Sequence, residues 1–209
     1  MLYSLALRSS NRYAYAFSNC ACPDWESTIC THCGRTVSTP RPQTVPDEYE
    51  VEGGSRYPDF LEFTGAWVGE HPFLLSAQAY DLLREAGISG LDNVEPVSVV
   101  RKMGGQWTSV TEPCYHQASV IGTVTLDLPA MHLKRKHMCS TCGQFEWSRQ
   151  RIYTIPAALD MDTWSGHDLC RVGDFPAMTV CSERVAEVIR KHKLTGAEMG
   201  PIADMFRAF

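Results

Sequence analysis

The sequence predicts an α+β protein with few helices and a mixed or antiparallel sheet, built from an internally duplicated CxxCG–β–α unit. Three observations support this prediction: a CxxCG motif occurs twice, strand-forming sequence follows each motif, and a helix that begins at a serine follows each of those segments. The same features recurring in the same order are the sequence signature of a repeat. We therefore expect a single domain over residues 1–209 with two similar halves, about 1–110 and 111–209.

Composition places the chain among ordinary folded proteins. It has 209 residues, of which 44% are hydrophobic and 21% charged, and its formal net charge is −5. A chain of this length can bury a core without disulfides, and the negative charge argues against general nucleic-acid binding. No apolar run approaches the roughly 20 residues of a membrane helix, and the N-terminus lacks the basic leader of a signal peptide. These features predict a cytoplasmic protein.

Each half begins with a tight cysteine turn. The first is residues 30–34 (CTHCG) and the second is residues 139–143 (CSTCG), 109 positions later. In such a turn two thiolates face one point, and the final glycine allows the positive φ that the turn needs. Each turn can therefore supply half of a tetrahedral metal site.

Strand-forming sequence follows the cysteine turns. Segments 59–67, 96–102, 119–128 and 145–155 are rich in β-branched and aromatic residues. Gly104 and Gly105 predict a turn before Trp107, and the prolines and acidic residues of 36–54 predict an extended loop or linker. The strand segments together predict the sheet of the α+β fold.

Two helices in the same register complete the repeated unit. Each follows a short VG-acid-x-Pro segment, at 68–72 and 172–176. Ser76 and Ser182 are suitable N-caps, and the apolar positions that follow them have helical spacing. The matching positions are Ala79, Leu82, Leu83 and Ala86 in the first half and Val185, Val188, Ile189 and His192 in the second, with Arg84 matching Arg190 and Gly90 matching Gly196.

The two cysteine turns together predict one structural zinc site with the ligands Cys30, Cys33, Cys139 and Cys142. Four thiolates leave no coordination position open for water or substrate, which is typical of structural zinc. Closing the 105-residue loop between the turns costs about 4 kcal/mol, whereas structural zinc contributes roughly 10–16 kcal/mol. The shared site is therefore energetically reasonable.

Other cysteine arrangements are open at the level of sequence. Cys20 and Cys22 could join the first turn in a local site, which would leave the second turn to recruit His132 or His137. The remaining cysteines have no partners at ligand spacing, and free cysteine usually behaves as a small buried hydrophobe. We therefore expect core positions for Cys114, Cys170 and Cys181.

The sequence contains no recognisable catalytic motif, so we expect no enzymatic activity. The best nucleophile is Cys170 beside His167. The basic run 134–137 could contact phosphates, although such runs are more often solvated. The acidic stretch 47–52 with Tyr49 and Tyr57 could bind a basic partner, although a solvated loop is the simpler interpretation.

The two CxxCG motifs, one in each half, resemble the double-CxxCG motif family first noted as myxobacterial paralogues. Residues 182–186 (SERVA) and 194–196 (LTG) add to the resemblance, which spans most of the chain. The family includes cytoplasmic immunity proteins against polymorphic toxins. The resemblance thus implies a non-enzymatic protein that binds and neutralises a cognate toxin; the alternative is a zinc-ribbon protein that binds nucleic acid or has a regulatory role.

Overall fold

The computed structural model describes residues 1–7, 14–18, 25–40, 48–61, 73–103, 106–148, 155–173 and 175–208. Within these residues the chain forms helices α1 (Ala77–Glu85) and α2 (Glu183–His192), with 3-10 turns at Met161–Thr163 and Ile202–Ala208. The strands in chain order are β1 (Leu2–Leu7), β2 (Ala14–Ser18), β3 (Trp25–Ile29), β4 (Thr36–Pro40), β5 (Glu48–Gly53), β6 (Phe60–Leu61), β7 (Phe73–Ser76), β8 (Leu91–Met103), β9 (Gln106–Val120), β10 (Gly122–Leu126), β11 (Arg135–Lys136), β12 (Glu146–Trp147), β13 (Leu159–Asp160), β14 (Leu169–Val172), β15 (Phe175–Ser182) and β16 (Ala197–Gly200). The predicted α+β class with few helices is confirmed.

Two six-stranded sheets and two small hairpins organise the strands. The first sheet has the order β2-β5-β8-β9-β7-β6 and the second has the order β13-β10-β14-β15-β1-β16. Both sheets are mixed, because β5 runs parallel to β8 and β10 runs parallel to β14 while the other pairs are antiparallel. The hairpins β3-β4 and β11-β12 carry the two cysteine turns.

Four strands of each sheet are paired in the same way. The order β6-β7-β9-β8 in the first sheet corresponds to β14-β15-β1-β16 in the second, and all six pairings are antiparallel. The registers agree as well: Ser76 lies opposite Tyr115, and Ser182 lies opposite Leu2. In both sheets the helix therefore begins directly after the serine that forms the last of four residue pairs with the neighbouring strand.

Strand β1 pairs with β15 and β16, which lie far along the sequence. It lies between β15 and β16 in the second sheet, so the N-terminal strand completes a sheet formed otherwise by residues beyond Gly122. Leu5 of β1 is buried, and the Tyr3 hydroxyl donates a hydrogen bond to the Glu183 carboxylate at the start of α2. Strand β1 is therefore what connects β16 to the rest of the second sheet.

The largest core cluster draws residues from both large sheets and both helices. Phe60 and Leu169 contribute from β6 and β14, Leu83 contributes from α1, and Val185 contributes from α2. All four are at most 1% exposed. Since burial of such a side chain contributes roughly 1.5–3 kcal/mol, this shared cluster ties the first sheet to the second.

Two part-buried polar networks join distant segments of the chain through matching contacts. The Asp59 carboxylate accepts hydrogen bonds from the Ser76 hydroxyl and from the amide and hydroxyl of Thr195. The Asp168 carboxylate accepts from the Ser182 hydroxyl and from the amide and hydroxyl of Ser89, with distances of 2.7–3.0 Å. Each carboxylate thus binds a serine that is near in sequence and a loop that is far along the chain.

The helix predictions are largely confirmed, with one correction. Ser76 caps α1, because its hydroxyl accepts from the Ala79 amide at 3.1 Å. Ser182 occupies the N-cap position of α2, but its hydroxyl makes no capping bond and donates instead to Asp168 at 2.7 Å. The predicted Ser182 capping bond is therefore wrong: this hydroxyl is directed at the Asp168 carboxylate and accepts no hydrogen bond from the amides of the first helical turn.

The linker predicted over 36–54 is wrong where the structure describes it. Residues 36–40 and 48–53 form β4 and β5, and Tyr49, Glu50 and Val51 are buried. The Tyr49 hydroxyl donates to the Gln117 side chain at 2.8 Å, so this tyrosine is a core residue rather than a partner anchor. Burial beside Glu48 and Glu52 raises the pKa of the Glu50 carboxyl. The charged residues of this segment predicted a loop, but tertiary packing outweighed their local preference for solvent and the segment forms a strand.

The strand predictions are partly confirmed. Segment 96–102 lies inside β8, and 119–128 overlaps β9 and β10, although the structure places a break at Ile121. Of the segments 59–67 and 145–155, only β6 and β12 are strands among the described residues. Residues 62–72, the turn at 104–105, residues 149–154 and Asp174 of the second VG-acid-x-Pro segment lie outside them.

A substitution of Gly196 should destabilise the fold more than one of Gly166. A Cβ at Gly196 would lie 2.1 Å from the Phe60 carbonyl oxygen, whereas one at Gly166 would meet nothing within 4 Å. Both glycines have nearly equal φ, +84° and +83°, so backbone strain cancels in the comparison. We expect Gly166→Ala to cost about 1 kcal/mol and Gly196→Ala about 3 kcal/mol, measured by urea unfolding. Equal losses would contradict the steric explanation.

Asp168→Asn should destabilise the protein in a pH-dependent way. Burial by itself would raise the pKa of the Asp168 carboxyl, but hydrogen bonds from Ser182 and Ser89 and the charge of Arg184 outweigh it and lower the pKa. A lowered pKa stabilises the fold above the unfolded value near 4, and this stabilisation is lost as the pH falls through the folded value. We expect Asp168→Asn to cost about 2 kcal/mol at pH 7.

Urea unfolding at neutral and acidic pH measures this effect. The difference in the free energy of unfolding between wild type and Asp168→Asn should become smaller as the pH falls below about 4. Asp81→Asn is the matched control, because it removes only an exposed ion pair with Arg84 and should cost less than about 0.5 kcal/mol. A gap that stays constant with pH would contradict the role of the ionised carboxylate.

Candidate metal centre

The two cysteine turns have the same backbone structure. In the first, the Gly34 amide donates to the Cys30 carbonyl at 2.8 Å, and in the second, the Gly143 amide donates to the Cys139 carbonyl at 2.9 Å. Both glycines have φ of +71°, the left-handed conformation that glycine adopts without steric cost. A short hairpin holds each turn, β3-β4 for the first and β11-β12 for the second. The turn geometry predicted from the CxxCG motif is confirmed.

The structure brings all four predicted cysteines together. The Sγ atoms of Cys30 and Cys139 are 3.8 Å apart, and those of Cys33 and Cys142 are 3.7 Å apart. All four sulfurs lie within 4.8 Å of one another, with Cys30 and Cys139 buried and the other two half-buried. These residues could hold a metal ion, and each turn contributes two of the four sulfurs.

The sulfur spacing fits a tetrahedral ion. Thiolates bound at about 2.3 Å around a tetrahedral centre lie roughly 3.8 Å apart. The two sulfur pairs that bridge the turns match this spacing, at 3.7 and 3.8 Å. Disulfide sulfurs, by comparison, are bonded at about 2.05 Å, and the four cysteines are free thiols in the structure. The geometry is that of a ligand set rather than of a disulfide pair.

Backbone amides tune the thiols toward metal binding. The amides of Cys33 and His32 lower the pKa of the Cys30 thiol, and the amides of Cys142 and Thr141 lower the pKa of the Cys139 thiol to about 6. Each turn therefore favours a thiolate at its first cysteine. A cation is attracted to such a site, because metal ligands must be deprotonated.

At Cys142, crowding of the sulfurs raises the pKa of the thiol instead of lowering it. The Gln144 amide acts to lower the pKa of the Cys142 thiol, but burial and hydrogen bonds with the neighbouring cysteine sulfurs outweigh it and raise the pKa to about 12. Neighbouring thiolates repel one another, so the cluster does not ionise completely without a cation. A divalent ion would remove this repulsion.

Two polar contacts hold the cysteine turns side by side. The Arg35 guanidinium pairs with the Glu146 carboxylate at 2.6 Å, and the Gln144 side-chain amide donates to the Thr36 carbonyl at 2.8 Å. Arg35 and Gln144 follow the glycines of the two turns at the same position. Sequence reasoning missed both residues, although their matching positions after CxxCG were a usable signal.

The cysteines outside the site are placed as follows. Cys170 and Cys181 are buried, as predicted, and burial raises the pKa of the Cys181 thiol to about 12. Cys114 is exposed, so its predicted core position is wrong; it lies in the stretch 111–114 that the register shift of the β8-β9 pairing skips, where the alternation of buried positions breaks. Cys20 and Cys22 lie outside the described residues. Among the described residues, neither His132 nor His137 belongs to the cluster.

The sequence neighbours His167 and Cys170 do not form an activated nucleophile. The Cys170 thiol donates to the His167 backbone carbonyl at 3.3 Å, and burial raises the pKa of this thiol. A raised pKa disfavours the thiolate, which is the reactive form. Cys170 therefore has the properties of a structural cysteine.

The basic run lies on the surface beside the cysteine centre. Residues 134–137 are all exposed, and the Arg135 guanidinium packs over the Phe145 ring at 5.1 Å. Ile29 and Met138, the residues before the first cysteine of each turn, are 71% and 65% exposed. The centre thus carries both cationic and apolar side chains at its surface.

No protein-family model matches the chain, and no curated protein matches it. In the part of the chain that the structure describes, no helix has the length and apolarity needed to cross a bilayer. Inference about function therefore starts from the geometry of the four cysteines.

Proposed function

We propose that this protein is a zinc-stabilised, non-enzymatic immunity protein that binds and neutralises a cognate antibacterial toxin in the cytoplasm. The observation that carries the proposal is the closed four-cysteine cluster, with all sulfurs within 4.8 Å. Four thiolate ligands fill a tetrahedral ion's coordination shell, so such an ion supports a fold and does not activate water. The centre is thus suited to positioning a binding surface.

Zinc is the ion that best suits this ligand set. Soft thiolates in a tetrahedral arrangement favour zinc or an iron–sulfur centre, and four sulfurs separated by only 3.7–3.8 Å across the turns leave space for one ion. One zinc per chain would be held by Cys30, Cys33, Cys139 and Cys142. The ion would neutralise thiolates that the turn amides already favour.

The two halves are, in this proposal, copies of one unit. The matching strand orders and registers support duplication, and so do the two cysteine turns with equal φ at their glycines. The carboxylates Asp59 and Asp168 add further support, since each binds a serine of one half and a loop of the other. Chance similarity of short motifs would not be expected to reproduce these long-range contacts.

Toxin neutralisation rests on the resemblance to the double-CxxCG family and on the surface of the centre. The residues of the resemblance, 182–186 and 194–196, form the start of α2 and the turn that follows it. Exposed Ile29 and Met138 offer apolar contacts on a rigid, metal-anchored turn, and rigid apolar anchors are typical of protein interfaces. A protein partner is therefore favoured.

Nucleic-acid binding is the alternative function, and one observation favours it. Lys134, Arg135 and Lys136 are all exposed on one edge of the second cysteine turn. Cationic residues so placed can contact phosphates, and such binding weakens steeply as salt rises. Salt-sensitive binding of the purified protein to DNA or RNA would favour this alternative over toxin neutralisation.

Elemental analysis should find about one zinc per chain in the purified protein. Cys139→Ser removes one of the four sulfurs and exposes the remaining thiolates to repulsion, so it should lose the zinc and lower the melting temperature by roughly 10 °C or more. Cys114→Ser is the matched control, because Cys114 is exposed and outside the cluster. This variant should retain the zinc and the melting temperature of the wild type. Two zincs per chain would contradict a shared site.

Co-expression tests the proposed function directly. Cells that produce the toxin encoded beside this gene should survive when the protein is present, and the two purified proteins should form a stable complex. Cys114→Ser should protect as wild type does, whereas Cys139→Ser should protect poorly because the binding surface loses its support. If the protein neither protects the cells nor forms a complex with that toxin, the proposed function is wrong. The zinc content is a separate result and does not depend on this outcome.

A further inference from the structure

The four cysteines of the centre differ in their access to solvent. Cys30 and Cys139 are buried, at 7% and 5% exposure, whereas Cys33 and Cys142 are half-buried. The two half-buried cysteines are also neighbours, since their Sγ atoms lie 3.7 Å apart. A small oxidant that approaches from solvent therefore reaches this pair more readily than the buried pair.

Each close sulfur pair joins one cysteine turn to the other. The Sγ atom of Cys30 lies 3.8 Å from that of Cys139, and the Sγ atom of Cys33 lies 3.7 Å from that of Cys142. The sulfurs of a disulfide are bonded at about 2.05 Å, so a movement of about 1.7 Å brings one such pair to bonding distance. Rotation of two side chains can thus turn a pair of metal ligands into a covalent link between the turns.

Two contacts that need no ion hold the turns side by side. The Arg35 guanidinium pairs with the Glu146 carboxylate at 2.6 Å, and the Gln144 side-chain amide donates to the Thr36 carbonyl at 2.8 Å. The first residue pair follows the two turns in opposite order to the second, so the contacts cross between them in both directions. Because neither contact involves a sulfur, the sulfurs stay near one another when the ion is lost.

We propose that Cys33 and Cys142 form a peroxide-sensitive pair, which on oxidation becomes a disulfide that links the two cysteine turns and releases the metal ion. This inference rests on the proposed zinc centre and not on toxin neutralisation. After oxidation only the buried Cys30 and Cys139 retain thiol groups, and two sulfurs do not fill a tetrahedral shell. The centre thus has a zinc-linked state and a disulfide-linked state.

The oxidant is a peroxide, and one peroxide molecule is consumed for each disulfide. The thiolate of one cysteine attacks a peroxide oxygen, the O–O bond breaks, hydroxide leaves, and a sulfenic acid remains on that sulfur. The thiolate of the other cysteine attacks the oxidised sulfur, so that the S–S bond forms, the S–O bond breaks and a second hydroxide leaves. The two sulfurs together lose two electrons, and the peroxide gains them.

Pairing across the turns is favoured over pairing within one turn. Cys33 and Cys142 are 109 positions apart, whereas a disulfide between Cys30 and Cys33 would enclose only the two residues between them. A disulfide restricts the unfolded chain more strongly when the loop that it closes is longer. The cross-turn disulfide therefore stabilises the folded protein in place of the ion, and a disulfide within one turn would leave the turns unlinked.

Zinc release and disulfide mapping on the zinc-loaded full chain test the proposal. A modest excess of hydrogen peroxide should release one zinc per chain, measured with a chromophoric chelator. Peptide mass spectrometry without reduction should find Cys33 joined to Cys142, and a thiol reductant with added zinc should restore the metal centre. Cys114→Ser is the matched control, because Cys114 is exposed and outside the cluster; it should release zinc at the wild-type rate and form the same disulfide.

Thermal unfolding measures the stability of the disulfide-linked state. Peroxide-treated protein should melt roughly 10 °C above protein that has been freed of zinc by a chelator and kept reduced, because the disulfide restricts the unfolded chain. Addition of a reductant to the oxidised sample should abolish this difference. Equal melting temperatures of the oxidised and the zinc-free reduced protein would contradict a link between the turns.

Disulfide mapping distinguishes the outcomes that would overturn the proposal. These are zinc that stays bound under peroxide, zinc release without a disulfide, a disulfide within one turn, and a disulfide from Cys33 or Cys142 to Cys20 or Cys22. If the purified protein contains no zinc, the zinc centre is wrong, but mapping of the reduced chain after peroxide still decides whether Cys33 and Cys142 pair. A protein that forms this disulfide but binds no toxin contradicts only the proposed immunity function.

Discussion

The meeting of two cysteine turns constrains the rest of this structure. Their four sulfurs lie within 4.8 Å although 105 residues separate the turns. Such close thiolates repel one another, and the opposite pKa shifts of Cys139 and Cys142 express that conflict. The protein must therefore either hold the turns together through contacts elsewhere or bind a cation between them, and its geometry is suited to both.

The supporting contacts come from pairing between strands that are distant in sequence. Strand β1 completes the second sheet, and residues 115–120 of β9 complete the matching part of the first. The carboxylates Asp59 and Asp168 then fix each sheet to a loop beyond the opposite helix. Because neither sheet is complete without residues from far along the chain, the cysteine turns are positioned by the whole fold and not by their hairpins alone.

This arrangement assigns different roles to the centre and to the surface. The cysteine sulfurs, the hydrogen-bonded carboxylates and the shared apolar cluster fix the shape, whereas Ile29 and Met138 are exposed beside the cysteine turns. A closed tetrathiolate centre contributes rigidity and no reactive ligand position. Function in such a protein depends on what its rigid surface presents.

The sequence by itself determined the local units: the CxxCG turns and the two helices with their serine starts. These depend on short spacings and on glycine conformation, which neighbouring residues control. Only the tertiary structure decided that 48–53 is a buried strand, that Ser182 serves Asp168 and not its helix, and that β1 lies between β15 and β16. Those outcomes depend on contacts between distant residues, which no local pattern of hydrophobicity or charge records.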